Sequence, residues 1–159
     1  MSLSQSAIGQ LKAAQEYFNR STRNLREEDS TFAPADGMMT AAQQIAHAAH
    51  TIGWFIQGAF SPVGFDMDFE GHAKIIMGYS SIAAARDWFN KEIADAVNAV
   101  AEKSDAELGA LMPPGPIMGG LPRMAIFGGI TDHTAHHRGA LTVYARLQGI
   151  VPPMPYMDM

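Results

Sequence analysis

Residues 40–60 read TAAQQIAHAAHTIGWFIQGAF, a stretch without proline or a formal charge, rich in alanine and apolar on most sides. Alanine has the highest helix propensity, and a helix this hydrophobic is stable in water only when other elements surround it. The stretch therefore predicts a central helix of an all-helical protein, with Thr40 able to cap its first turn.

The flanking sequence has the same character. Residues 4–23 carry Ala7 or Ile8, Leu11, Ala14 and Phe18 at helical spacing, continued by Leu25, with Gln10, Lys12, Gln15 and Asn19 between them. Breakers between Glu27 and Met38, among them Pro34, Asp36 and Gly37, make a loop. Beyond the central helix, Ser61, Pro62, Gly64 and the acidic run from Asp66 to Glu70 interrupt the pattern. A third helix is predicted over 72–103, with Ile75, Ile82, Phe89, Ile93, Val97 and Val100 as its buried stripe. A short turn at 104–107 and a Pro/Gly-rich loop at 112–123 precede a fourth helix, which has Pro122 in its first turn, runs to Leu147 and stops at Gly149. The tail 150–159 is expected to be extended. Neither strand-like alternation nor an internal repeat is present, so the expectation is one all-α domain, 1–159, folded as a four-helix bundle.

Composition narrows the function classes. The net charge is −5 and the basic residues are scattered, which argues against nucleic acid. The 159 residues include no cysteine, which excludes disulfides, thiolate metal sites and a cysteine nucleophile. The N-terminal stretch does not read as a signal peptide and no apolar run reaches membrane-spanning length, so a cytoplasmic protein that does not enter membranes is expected.

Five of the six histidines fall in two predicted helices: His47 and His50 in the second, His133, His136 and His137 in the fourth. His133 and His137, four apart, share one helical face with Ile126, Ile130, Leu141 and Tyr144, and two inward-facing imidazoles are readily satisfied by one metal ion. The second helix offers a third on the face through Gln43, Gln44, His47, Thr51 and Trp54, although spacing leaves His50 nearly as good. Three imidazoles with an open position suit zinc or nickel better than magnesium or calcium. His136 projects about 100° from the His133 row, toward solvent or a neighbouring chain, and His72 has no evident partner and reads as a surface residue.

The stretch DHTAHHRGALTVYARLQGIVPP, 132–153, resembles the C-terminal signature of the DinB-like (damage-inducible) superfamily, and 40–60 resembles its second helix, with a histidine seven residues before a Trp-Phe pair. The resemblance implies His47, His133 and His137 as ligands of one divalent metal, which selects His47 over His50. It also implies an up-down-down-up bundle with a long crossover, placed at 61–71, and a homodimer. Some relatives are thiol transferases or isomerases, which makes a small thiol and a small electrophile the expected partners; a noncatalytic metal-binding or stress-response role is the alternative. Ala140 departs from the glutamine frequent after the Arg-Gly pair.

Other residues have two readings each. Met112, Met118 and Met124 could form a lid at the metal or simply pack the loop. Arg86 and Arg138 could hold a substrate anion or make surface salt bridges, and Asp132 could orient a ligand imidazole. Trp54, Phe55 and Trp88 are expected in the core.

Overall fold

A computed structural model describes residues 1–157. Four long helices form the bundle: α1 (Leu3–Thr22), α2 (Ala41–Phe60), α4 (Ile82–Ala101) and α6 (Ile126–Leu147), with α3 (Phe69–Met77) and α5 (Asp105–Gly109) in the connections. Among the described residues there is no strand, only a single bridge between Leu111 and Pro122. Asp158 and Met159, the end of the expected extended tail, lie outside the described residues.

Local chemistry starts and stops the helices. Ser2 with Gln5 and Thr40 with Gln43 form reciprocal capping boxes that satisfy backbone N–H groups of α1 and α2. Gly149, at φ +76°, ends α6 in the left-handed conformation that glycine adopts without strain, and Ile150 N–H returns to the Ala145 carbonyl. A 3-10 turn, Arg123–Ala125, rather than Pro122, leads into α6.

Cross-helix pairs give the topology. Ser4 meets Val100, Phe18 stacks on Phe89 and Thr22 meets Arg86, so α1 and α4 are antiparallel. His50 lies against Trp88 and Gly53 against Glu92, so α2 and α4 are parallel. Gln44 meets Tyr144 while Phe55 lies over Gly129, making α2 and α6 antiparallel. With Arg138 over Tyr17 and Arg20 bonded to the Pro155 carbonyl, α1 and α6 are parallel. This is the up-down-down-up order. The core is a continuous cluster that includes Leu11, Phe18, Ile45, Ile52, Phe89, Ile93, Phe127, Ile130 and Leu141.

The helix expected over 72–103 is two helices. Residues 78–81 break it, and α3 belongs to the crossover, which therefore runs over 61–81 and not 61–71. Parallel neighbours require a connection spanning the bundle's length, and α3 supplies part of it. The new start at Ile82 is secured by Ser81, which accepts from Ala84 N–H, and from far along the chain by Ser30 Oγ on Ile82 N–H and the Glu27 carboxylate on Ala83 N–H. Those bonds, the Ala83 N–H foremost, hold the Glu27 carboxyl below its usual range. Ile75, expected in the buried stripe, is 52% exposed. The turn expected at 104–107 is the N-cap and first residues of α5.

Arg86 neither awaits a substrate nor forms a surface ion pair. Its guanidinium is partly buried and donates to Thr22 Oγ1, to the Thr22 carbonyl and to the Leu25 carbonyl, closing the C-terminus of α1. Arg86→Ala removes the side-chain donor from the Leu25 carbonyl and from the Thr22 carbonyl, which keeps only the Leu25 N–H, and urea unfolding should show a loss of about 1–3 kcal/mol. An unchanged midpoint would mean the contact contributes nothing.

Candidate metal centre

Because α2 and α6 are antiparallel, positions that rise along one fall along the other, and His47 comes to face both His133 and His137. The ring centroids are 5.0 Å apart for His47 and His133, 4.6 Å for His47 and His137, and 4.4 Å for His133 and His137. One ring nitrogen from each lies within 4.8 Å of the other two, a group that could hold a metal ion. The Nε2 atoms of His133 and His137 are 3.2 Å apart. Two nitrogens sharing one ion at 2.0–2.1 Å in tetrahedral geometry stand about 3.3 Å apart.

The tautomer of His137 follows from its neighbours. Tyr144 Oη donates to the Met39 carbonyl at 2.9 Å and so accepts from Gln44 Nε2 at 3.2 Å. That orientation turns Gln44 Oε1, an acceptor only, toward His137 Nδ1, which therefore carries the proton. The lone pair of His137 is left on Nε2, inside the cluster. A metal-binding histidine characteristically donates its other N–H in this way, and here the acceptor is Gln44, not Asp132, which is exposed. Thr51 Oγ1 lies 3.5 Å from His133 Nε2. His47 Nδ1 is buried with no hydrogen-bond partner, a costly arrangement for a polar atom.

Electrostatics favour the same use. Burial first, and then the neighbouring histidines, push His133 down to about 4 and His137 to about 3, and burial lowers His47 as well. All three are neutral near pH 7, with lone pairs to give. An unfolded chain takes up protons on these rings below its ordinary imidazole pKa of about 6.5, whereas the fold refuses them. Their contribution to stability is thus complete above that pH and is lost as pH falls toward about 4 and about 3.

His47 and His133 also line a cavity of about 380 Å³ between α2, α3 and α6, whose other walls include Trp54, Phe55, Phe69 and Ile76. Trp54 and Phe55 are half-buried cavity walls, Phe55 also packing against the core, and Trp54 Nε1 donates to the Asp66 carbonyl at 2.7 Å. Trp88 is half-buried as well, stacked on Tyr79 and donating to Glu92. His50 does not join the cluster but lines the same cavity opposite His72, with 4.6 Å between the two rings. His72 has partners after all: its side chain is 15% exposed and Nε2 lies 3.1 Å from Asp66 Oδ2. His136 is exposed, as its position predicts. Arg138 packs over the rings of Tyr17 and Tyr156. Met112 is buried in the core with Met118 and Met124 against it, and none of the three lines the cavity at the histidines.

Of the residues that matter here, sequence reasoning overlooked Gln44 and the His72–Asp66 pair. Gln44 was visible on the His47 face, but its role depends on Tyr144, 100 positions away.

A family model described as the DinB superfamily matches residues 10–141, and the chain belongs to that superfamily. Two solved structures share the fold. A DinB-like protein from Bacillus cereus is 21% identical with a TM-score of 0.69, the match covering 95% of this chain and 93% of that one. A DinB-like protein from Bacillus subtilis is 14% identical with a TM-score of 0.69, over 97% and 99%. No curated protein matches the chain significantly.

Purified protein should carry about one equivalent of a transition metal by elemental analysis. His47→Ala, His133→Ala and His137→Ala should each strip most of it, and Gln44→Ala should weaken binding about 10–100-fold. His50→Ala and His136→Ala should leave the content unchanged. The metal-free protein should melt at steadily lower temperature as pH falls below about 6.5. Full metal content in the triple alanine variant would refute the assignment.

Proposed function

We propose that the protein binds one divalent ion, zinc or nickel, through His47, His133 and His137, and acts as a transferase that joins a low-molecular-weight thiol to a small electrophile. The observation that carries this reading is the cavity beside His47 and His133. Structural metal sites are closed by four protein ligands, whereas a three-ligand site open to a cavity can admit a reactant. A bound ion of this type lowers the pKa of a thiol and keeps it as the more nucleophilic thiolate.

The chain's own residues supply the rest. Gln44 fixes the ring of His137, and the apolar walls at Trp54, Phe69 and Ile76 take up the body of the electrophile and exclude water. The sulfur forms a bond to an electrophilic carbon while the leaving group departs with its electron pair. The chain has no cysteine, which fits a thiol brought from outside. A cytoplasmic setting, where such thiols stay reduced, belongs to the same reading; no helix among the described residues is long and apolar enough to cross a membrane.

Cobalt-substituted protein titrated with glutathione, bacillithiol, mycothiol or coenzyme A should develop a sulfur-to-metal charge-transfer band with at least one of them. The same thiol should then react faster with chlorodinitrobenzene than it does without the protein. Silence in both assays would leave the noncatalytic metal-binding role standing.

The reading includes a homodimer. Val143, Leu147 and Val151, all more than half exposed near the end of α6, offer apolar surface for a second copy. Light scattering at micromolar concentration should give about twice the 17.1 kDa chain mass, and a monomer mass throughout would remove this element.

A further inference from the structure

Opposite the three histidines, the cavity has a second polar corner that the proposed function does not use. His72, on α3, holds Nε2 3.1 Å from Asp66 Oδ2, and its ring lies 4.6 Å from that of His50 on α2. His50 and His72 line the main cavity together with His47 and His133. Behind them a recess of about 100 Å³ is bounded by Asp66, Trp88 and Glu92. Three elements and a loop thus converge on one imidazole.

We propose that His72, braced by Asp66, is the group that takes the proton when a weak acid enters the cavity and binds as its anion beside His47, His133 and His137. This rests on the open metal position of the preceding section, but not on the acid being a thiol.

The hydrogen bonding decides which nitrogen acts. The backbone N–H of Asp68 first, and then His72, hold the Asp66 carboxyl below its usual range, so it is ionised and can only accept. His72 Nε2 must then carry the hydrogen in that bond, which leaves the lone pair on Nδ1. When the acid gives up its proton, the acid's bond to hydrogen breaks, a new N–H forms at Nδ1, and the resulting imidazolium stays paired with Asp66. No other reactant is needed.

The charges facing His72 favour that outcome. Asp66 from the crossover and Glu92 from α4 are the acidic neighbours, and Glu92 already accepts from Trp88 Nε1 at 2.9 Å. His50 from α2 is the basic one. Burial first, then His72 and His47, hold His50 below the ordinary imidazole range, so it remains neutral and does not oppose a charge on His72. On its own helix, Glu70 and Lys74 pair with each other in solvent. Unlike the three buried histidines, His72 has a carboxylate to balance a positive charge.

Zinc-loaded full-length protein should be titrated by calorimetry at pH 7 with 2-mercaptoethanol and, separately, with acetohydroxamic acid, in buffers of different ionisation enthalpy. The slope against buffer enthalpy counts the protons released to solvent. Wild type should release well under one proton per anion bound. His72→Gln should release about one at unchanged zinc content, and Asp66→Asn should fall between them. In wild type, and partly in Asp66→Asn, the ring resonances of His72 should move to their protonated positions on binding.

Equal proton counts in wild type and His72→Gln would overturn the proposal. If acetohydroxamic acid binds with proton capture while the thiol does not bind, the thiol reading falls and the role of His72 stands. If neither acid binds, no anion reaches the histidines, and the proposal falls with the open site.

Discussion

The antiparallel contact between α2 and α6 is the constraint from which the rest of the molecule takes its form. It sets His47 against His133 and His137 and, one turn away, Gln44 against Tyr144. His137 is buried among these helices, while His47 and His133 are half-buried at the edge of the cavity. Their ring nitrogens face one another closely enough that one ion could be shared among them. The hydrogen bonds from the Met39 carbonyl through Tyr144 and Gln44 end at His137, so backbone outside the bundle orients a ring inside it. A rotation of either helix by one residue would dismantle the cluster and the chain of hydrogen bonds together.

The polar groups around the cavity divide into two kinds. The three clustered histidines are short of counter-charge and resist protonation. His72 sits beside an ionised carboxylate, with another acidic side chain across the recess. Identical side chains therefore stand in opposite surroundings, one set without a counter-charge and one beside a carboxylate.

Most of the bundle was legible because its signals are local. The cap at Thr40, the periodic apolar stripe of α1 and the glycine stop at Gly149 depend only on residues a few positions away. The break between α3 and α4 was not legible, since two of the bonds that secure the start of α4 come from Glu27 and Ser30, more than 50 positions earlier. Arg86 was misread for a related reason. A cation in an apolar stripe looks available for a ligand until the helix end it closes, at Thr22, is known. His133 and His137 could be paired by their spacing on α6, but the choice between His47 and His50 needed either the family's pattern or the helix register. His72 looked solitary because its partner's side chain, six residues earlier, lies in a loop to which no periodicity applies.

The crossover that carries α3 has a position unlike that of any other segment. It packs lightly on the bundle, leaving Phe69, Ile75 and Met77 each about half exposed, yet it supplies one side of the cavity. The histidine cluster is built entirely from α2 and α6 and owes nothing to it. The cavity wall and the histidine cluster are consequently separable in inheritance. A descendant that replaced residues 61–81 while keeping the two long helices would retain the same three histidines behind a different cavity wall, so diversification could proceed through a strap whose redesign leaves the core as it is.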